Sequence, residues 1–322
     1  MTGFKKLFKI ERKPRKGLLP VEWITMSYLL LTLMLILFCY TKITDPEPMI
    51  TGRLRIAATT LALWAVYRLI PCQFTRICRV IPQLLLLSWW YPDTYEINRI
   101  FPNLDHLFAE YEQMVFGCQP ALLFSQAVTN PVFSEVMHMG YGSYYGLIFL
   151  VCLFYLFFRY QEFERTSFIV LSAFFIYYVI FNFLPVTGPQ YYYLAAGLDN
   201  IAHGVFPNVG DYFATHSDCL PIPGYADGFF YKFVASAHAA GEAPTGAFPS
   251  SHVGVTTILL ILAWRTRNRL LFFFILALYI PMCFATVYIQ AHYAIDVIGG
   301  WISAVIIYFC LSRVWKSPFL SR

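Results

Sequence analysis

Long apolar runs constrain the fold of this 322-residue chain more than any other feature. Eight are recognisable, at residues 23–40, 55–70, 80–92, 142–158, 167–184, 252–264, 270–289 and 294–312. A membrane-spanning helix needs about 20 apolar residues and tolerates about 17. Charged residues make up only 13% of the chain, which excludes an ordinary soluble domain with a polar surface. The sequence therefore predicts an all-α, polytopic transmembrane helical bundle of about eight spans.

The basic residues predict the orientation of this bundle. They concentrate at the N-terminus, in the loops near 68–79, 159–165 and 265–269, and in the tail after residue 312. Cytoplasmic loops carry an excess of Lys and Arg, so both termini are predicted to be cytoplasmic and the loops 41–54, 93–141 and 185–251 external. The first apolar run is too long for a signal peptide and is predicted to be retained as a span. These loops account for the net charge of +5, and nothing indicates a nucleic-acid partner.

Two short polar motifs interrupt the C-terminal apolar region. Residues 249–252 are Pro-Ser-Ser-His, residues 292–296 are His-Tyr-Ala-Ile-Asp, and an apolar run follows each motif. An ionisable side chain at the mouth of a membrane segment costs free energy unless it has a partner, which makes it a candidate functional group. The predicted orientation places both motifs on the same, non-cytoplasmic side. They therefore indicate a site that faces outward.

His292, Asp296 and His252 are the candidate catalytic residues. His292 and Asp296 are four residues apart, so on one helix the carboxylate can accept a hydrogen bond from the imidazole. A histidine oriented in this way can attack phosphorus and form a phosphohistidine, while His252 serves as general acid and then as general base. Ser250 and Ser251 stand where a helix begins, a position that suits a cap and the binding of an anion such as phosphate.

Each motif also has a purely structural interpretation. A His-x3-Asp pair in a helix is more often a structural hydrogen bond than a catalytic dyad, and Pro-Ser-Ser before a helix is usually a cap. Their coincidence on one side of a charge-poor membrane chain favours catalysis. A proton-coupled transporter stays an alternative, although its ionisable groups usually lie near the bilayer centre and no convincing internal repeat is present. A non-catalytic membrane scaffold is a further alternative.

The two motifs resemble those of the type 2 phosphatidic acid phosphatase superfamily, which comprises membrane lipid phosphatases and phosphotransferases. The second motif of that family, Pro-Ser-Gly-His, has Ser251 here in place of Gly. Its third motif, Ser-Arg-x5-His-x3-Asp, has Ala285 and Thr286 in place of Ser and Arg. Its first motif, Lys-x6-Arg-Pro, has no recognisable counterpart, and residues 182–190 are the nearest equivalent by order.

The missing Lys and Arg also characterise the inositol phosphorylceramide synthase-like branch, an inositolphosphotransferase group. Its His-Tyr-x-x-Asp-Val motif is similar to residues 292–297, and residues 116–120 and 141–145 look like the same subgroup. In the family the third-motif His is the nucleophile, the Asp orients it and the second-motif His donates the proton. The resemblance thus implies these roles for His292, Asp296 and His252, with no metal or other cofactor.

The resemblance covers residues 80–312 and implies a six-helix catalytic core there. Residues 1–79 would then form an N-terminal basic segment with two extra spans, and residues 313–322 a cytoplasmic tail.

The substrate-binding candidates lie mostly in the external segment before His252. A lysine in that segment offers positive charge for phosphate, although a lone loop lysine is more often solvated. Aromatic residues at a membrane boundary are more often interface anchors than ligands. Glu242 is a candidate for binding the acceptor. The predicted substrate-binding residues are Ser250, Ser251, Gln190, Tyr191 and Lys232.

The remaining histidines and cysteines carry weaker signals. His203, His216 and His238 share the external loop, but their spacing fits no standard zinc pattern, so no metal site is predicted. Cys118 and Cys219 fall in external loops, where a disulfide between them stays open.

These observations predict an integral membrane lipid phosphotransferase that acts on a lipid phosphate ester through a phosphohistidine. Its partners are a phospholipid or lipid phosphate substrate, a ceramide or diacylglycerol acceptor, and membrane lipids. With water as the acceptor, the same residues would make a lipid phosphate phosphatase, acting on phosphatidic acid or a polyprenyl diphosphate. The departures from the first and third motifs favour the transferase slightly.

Overall fold

The computed structural model describes residues 7–317, so the first six residues and residues 318–322 of the predicted tail lie outside it. In this part of the chain the regular structure is helical, with one isolated bridge between Ile10 and Cys72. Short 3-10 turns occupy Tyr40–Lys42 and Tyr212–Ala214. The helices are α1 Pro20–Phe38, α2 Pro46–Leu69, α3 Gln73–Leu85, α4 Leu87–Asn98, α5 Asp105–Phe116, α6 Pro120–Ala127, α7 Pro131–Gly142, α8 Tyr144–Phe158, α9 Tyr160–Phe183, α10 Pro189–Ala196, α11 Leu198–Ala202, α12 Phe229–Ala239, α13 Ser251–Arg265, α14 Arg269–Tyr288 and α15 Ala294–Val314.

The predicted all-α, polytopic membrane bundle is confirmed, and each of the eight apolar runs lies in helical structure. Within the described residues, four helices are long and apolar enough to cross a membrane, namely α1, α9, α14 and α15. The pair α7 and α8 makes a fifth candidate span that bends by 49°. Helix α13 is apolar but has only 15 residues, about 22 Å of length.

The run at 80–92 is not one helix. Helix α3 ends at Leu85 and α4 begins at Leu87, and each contains a proline, Pro82 and Pro92. A proline inside a helix removes one backbone donor and clashes with the preceding turn, so it weakens a straight helix. Residues 80–92 therefore do not form one straight membrane span.

Buried ion pairs connect the N-terminal helices. Arg79 of α3 donates from Nε to Glu22 Oε1 of α1 at 2.7 Å, and both side chains are fully buried. Arg53 of α2 pairs with Asp93 of α4 at 2.8 Å. Removing one partner of such a pair strands a buried charge, which costs about 3–5 kcal/mol. Helices α1–α4 therefore form one connected unit beside the rest of the bundle.

Close backbone contacts bring the two polar motifs together. A Cβ on Gly300 of α15 would lie 2.8 Å from the Ser250 carbonyl oxygen at the start of α13, so only glycine fits there. The Ser250 amide donates to the Asp296 carbonyl at 3.0 Å. Tyr144, the first residue of α8, donates from its hydroxyl to the Ser251 carbonyl at 3.3 Å. The N-terminal ends of α8, α13 and α15 thus meet at one place.

Candidate active site

His252 and His292 lie side by side at this meeting point. Their ring centroids are 5.7 Å apart, and His292 Nε2 is 3.5 Å from His252 Nδ1. His292 is 4% exposed and lies in the short connection between α14 and α15, whereas His252 is partly exposed in the first turn of α13. The 39 residues between them contain the rest of α13 and all of α14, an antiparallel helix pair that returns the chain to the same end of the bundle.

The Ala247 carbonyl fixes the tautomer of His292. His292 Nδ1 lies 2.8 Å from this oxygen, which can only accept a hydrogen bond. The Nδ1 atom therefore carries the proton of the neutral ring, and Nε2 carries the lone pair. Burial lowers the pKa of His292 to about 4, so the ring is neutral at physiological pH. A neutral imidazole with its free nitrogen facing His252 has the electronic form of a nucleophile.

Asp296 lies behind His292 and is fully buried. Its Oδ2 atom is 3.4 Å from His292 Nδ1, farther than the Ala247 oxygen. The same Oδ2 accepts a hydrogen bond from the Tyr293 amide at 2.9 Å, within the first turn of α15. The carboxylate thus contacts His292 as the spacing suggests, but it shares Nδ1 with a backbone carbonyl that has no sequence signature.

Two tyrosines pack around His252. The Tyr141 ring stacks on the imidazole with centroids 4.6 Å apart, and the Tyr144 ring lies 4.3 Å away. Both tyrosines come from the junction of the bent pair α7 and α8. The bend lets one residue from each helix reach the same histidine, and the aromatic rings limit the access of water to it.

The start of α13 offers an anion site beside the histidines. The Ser250 hydroxyl caps the helix by accepting from the Val253 amide at 3.4 Å. The first amides of a helix have no partner within it, and the helix dipole adds partial positive charge there. These amides lie directly before and at His252, so a phosphate group can approach them and the histidines together.

A polar cluster in the segment between α9 and α13, which we call the loop cluster, adjoins His252. It consists of Gln190, Tyr191, His238 and Glu242. His238 Nε2 lies 3.0 Å from Glu242 Oε2 and 3.2 Å from Gln190 Oε1, and Tyr141 donates from its hydroxyl to Glu242 Oε1 at 3.0 Å. The Tyr191 and His238 rings are nearly parallel with centroids 6.3 Å apart. Tyr141 therefore connects the loop cluster to the His252 ring.

His238 supplies positive charge to the loop cluster. Hydrogen bonds to Cys219 and then to Glu242 raise its pKa to about 10. Burial opposes ionisation of Glu242, but the hydrogen bond and charge of His238, together with His252 and the Tyr141 hydrogen bond, outweigh it and lower the pKa of this carboxyl. The pair is thus an imidazolium and a carboxylate at neutral pH. In the described part of the chain, none of the polar contacts of His238, His252 or His292 involves Lys or Arg.

Other candidates from the sequence lie apart from the histidines. Lys232 has a side chain 63% exposed, and its ionic partner is Asp227 at 3.9 Å. His203 and His216 are exposed, and each bonds through Nδ1 to the carbonyl oxygen four residues earlier. Cys118 and Cys219 are both free thiols, so the disulfide that the sequence left open is absent from this structure.

A buried carboxylate that the sequence reasoning missed holds residues 187–188 next to the third motif. Asp105 accepts hydrogen bonds from the amides of Thr187 at 2.7 Å and Gly188 at 2.9 Å, and from the Tyr293 hydroxyl at 3.0 Å. Gly188 has a φ of +96°, and a Cβ there would lie 2.6 Å from the Ala291 carbonyl oxygen. The segment that is the nearest equivalent of the first motif thus contacts Ala291, the residue before His292. The contact is made by the backbone of Gly188, whereas the family's first motif has Lys and Arg side chains.

Glu112 is a second missed residue. It is fully buried, and its Oε2 accepts a hydrogen bond from the Ile295 amide at 3.1 Å, while Oε1 has no partner within the described residues. Burial raises the pKa of Glu112 from 4.5 to about 8. The side chain therefore fixes the first turn of α15, which carries Asp296, as a protonated acid at neutral pH.

We expect Glu112→Gln to flatten the pH dependence of stability. Between pH 4.5 and about 8 the folded protein binds more protons at Glu112 than the unfolded chain, so stability falls as pH rises. Each pH unit in that window costs about 1.4 kcal/mol, and glutamine removes this loss. Thermal unfolding in detergent across this window measures the effect. The control is Glu110→Gln, at an exposed residue of the same helix, which should leave the pH dependence of stability unchanged. If Glu112→Gln has the same slope of stability against pH as wild type, Glu112 does not titrate as stated.

Comparison with known families decides the relationship that the motifs suggest. A model of the PAP2 superfamily matches residues 106–310, well over half of the chain. The chain belongs to the PAP2 superfamily. No curated protein and no solved structure shows a significant match.

Membership of the PAP2 superfamily supports an enzyme of the phosphatase or phosphotransferase type that acts on lipid phosphates. The PAP2 match includes the histidine pair, Asp296 and the loop cluster. It begins in α5, so helices α1–α4 precede it. The apolar helices and this membership together establish a membrane protein.

Proposed function

We propose that this PAP2 protein is a lipid phosphotransferase of the inositol phosphorylceramide synthase-like kind. The enzyme takes a phosphoryl group from a lipid phosphate ester and transfers it to a lipid hydroxyl. The transferred phosphoryl group is either unsubstituted or esterified to an alcohol. One observation carries the proposal: His292 presents a lone pair on Nε2, fixed by the Ala247 carbonyl, 3.5 Å from the His252 ring. This is the arrangement that a covalent nucleophile and a proton donor require.

In the first step His292 Nε2 attacks phosphorus, and the bond from phosphorus to the leaving oxygen breaks. His252 must bind a proton before it can serve as the acid in this step, and the negative charge of the bound phosphate favours its imidazolium form. It gives its proton to the leaving oxygen and becomes neutral. The product is a phosphohistidine, with Asp296 and the Ala247 carbonyl holding the opposite side of the ring.

In the second step the acceptor hydroxyl occupies the position that the leaving group vacated. Neutral His252 takes the hydroxyl proton, the acceptor oxygen attacks phosphorus, and the bond between phosphorus and His292 Nε2 breaks. Both histidines return to their starting protonation states. His252 can take the proton from water or from a lipid hydroxyl. The acceptor therefore depends on which of the two can enter the site.

The phosphate charge is met without the family's Lys and Arg. The amides and dipole at the start of α13 supply partial positive charge, and the His238 imidazolium adds a full charge that Glu242 partly balances. Ser250 holds the α13 end in place as its cap, and Gln190 orients His238. Ser251 and Tyr191 lie at the edges of this region, while Lys232 contributes at most from the loop surface.

The burial of His292 and the tyrosines around His252 support a lipid hydroxyl over water as acceptor, because they restrict water at the reacting nitrogen. The test supplies purified protein with ³²P-labelled phosphatidic acid or phosphatidylinositol, with and without ceramide or diacylglycerol. We expect label in a new lipid that depends on the acceptor. Release of inorganic phosphate alone would overturn the transferase assignment in favour of a phosphatase, and no turnover of either donor would overturn the enzyme assignment.

We also propose that the site faces the non-cytoplasmic side, with both termini in the cytoplasm. His252 lies in the first turn of α13 and Arg265 in its last turn, so a basic loop lies at the opposite end of the helix from the site. The positive-inside rule places that loop in the cytoplasm. A C-terminal tag that a membrane-impermeant antibody reaches in intact cells would contradict this orientation.

A further inference from the structure

An apolar groove runs along α8 and faces the N-terminal helices. Its volume is about 290 Å³, and all the side chains that line it are uncharged. One wall is formed by α8, with Ile148 and Leu153 among its residues, and the other by α3 and α4, with Leu84 and Leu87. The groove therefore lies between the region that the PAP2 model matches and helices that precede it.

The end of the groove at the start of α8 adjoins the active site. Tyr145 lines the groove, and its ring centroid is 5.1 Å from that of Tyr144. Tyr144 in turn lies 4.3 Å from the His252 ring. A molecule that fills the groove thus ends two aromatic rings away from the proposed proton donor.

The groove has the length of one membrane leaflet. It extends along α8 from Tyr145 to Leu156, roughly 16 Å at about 1.5 Å per residue. Half of a hydrocarbon core about 30 Å thick is about 15 Å. An acyl chain that starts at the level of the histidines would therefore lie in the groove down to about the bilayer midplane.

A second apolar groove fits the reacting lipid less well. It has a volume of about 400 Å³ and lies between α5 and α15, beside Phe248 and Ile295. This position is next to Asp296, on the Nδ1 side of His292, whereas Nε2 faces His252. An acyl chain in the second groove would approach the His292 ring from Nδ1, which already has the Ala247 carbonyl as its hydrogen-bond partner.

We propose that the groove between α3, α4 and α8 binds one acyl chain of the lipid phosphate substrate and holds its phosphate at the histidine pair. This inference rests on the proposed function and adds the requirement for a long chain. The break between α3 and α4 at Leu86 lies at this groove, so the N-terminal helices set the width of the chain site.

The test narrows the groove with Leu153→Trp on α8 and Leu84→Trp on α3. Phe157→Trp is the matched control, because Phe157 is on α8 but 70% exposed and outside the groove. We expect the two groove variants to raise KM for dipalmitoyl phosphatidic acid by at least about tenfold, which corresponds to losing the burial of about two methylene groups. The groove variants should turn over dibutyryl phosphatidic acid at a rate near that of wild type. The control variant Phe157→Trp should turn over both lipids at rates near those of wild type. An unchanged KM for the long-chain lipid, or an equal loss for both lipids, would overturn the proposal.

A binding measurement separates this inference from the proposed function. Phosphatidic acid with a diazirine in its acyl chain is photolysed with wild-type protein and with His292→Asn, which is expected to bind without turnover. We expect labelled peptides from α3 and α8 in both, and loss of that label in the two groove variants. Label confined to other helices would overturn the groove assignment even if the enzyme is active. Label in α3 and α8 without any turnover would support the groove and count against the proposed function alone.

Discussion

We expect His292→Asn to lower turnover of a lipid phosphate by at least about 10⁴-fold, the scale seen when a covalent nucleophile is removed. Asparagine retains an amide that can donate to the Ala247 carbonyl, so the connection between α14 and α15 keeps its hydrogen bond. It has no nitrogen lone pair to attack phosphorus. The measurement is product formed per molecule of protein, with thermal unfolding recorded on the same samples to show that the variant is folded.

His203→Asn is the matched control for this variant. His203 is exposed in the segment between α9 and α13 and bonds through Nδ1 to the Asp199 carbonyl oxygen at 2.7 Å. It has no role in the proposed chemistry, so its replacement should leave turnover unchanged. A folded His292→Asn protein that retained more than about a tenth of wild-type activity would exclude His292 as the nucleophile, because chemistry by another route would then be sufficient.

His252→Gln should produce the second largest effect, a loss of about 10²–10⁴-fold on a lipid phosphate. The loss should be much smaller for an aryl phosphate such as nitrophenyl phosphate, because its leaving oxygen needs no proton. The second step still requires a base, so the variant should accumulate the phosphohistidine when it is given the aryl substrate. The measurement compares the rates on the two substrates in wild type and variant, together with the initial burst of nitrophenol.

The control for His252 is His216→Gln, at an exposed ring that stacks on Tyr212 with centroids 4.1 Å apart. We expect both substrates to be turned over normally by this protein. An equal loss on lipid and aryl phosphates in His252→Gln would assign His252 to binding or structure rather than to proton transfer.

Hydropathy was sufficient to predict the helical bundle because burying apolar runs in a membrane leaves the backbone few alternatives to a helix. It did not predict how the helices break. Pro82 is a visible signal for the split at Leu86, and a window average over 80–92 conceals it. The 49° bend at Ser143 follows the glycines at 140 and 142, a visible signal for a kink that hydropathy also conceals.

Some residues of the site could be predicted from the sequence and others could not. The spacing of His292 and Asp296 predicted their proximity, although His292 lies just before α15 rather than on it. The predicted orientation placed His252 on the same side as this pair. The Ala247 carbonyl could not be predicted, because every residue has one. Asp105 and Glu112 contact the third motif from 188 and 183 residues away in the sequence. Two acids in a helix at a membrane boundary were the available signal, but sequence alone does not give their partners.

The central claim is that phosphorus is bonded to His292 Nε2 during turnover. The direct measurement mixes protein with ³²P-labelled phosphatidic acid, quenches in base, digests the chain and locates the label by mass spectrometry. We expect an acid-labile, base-stable label on the peptide that contains His292 in wild type and none in His292→Asn. With ³²P-labelled nitrophenyl phosphate as the donor, His252→Gln should carry this label at a higher level than wild type. An active protein that carries no label at any time point, or carries it on another residue, would contradict the account.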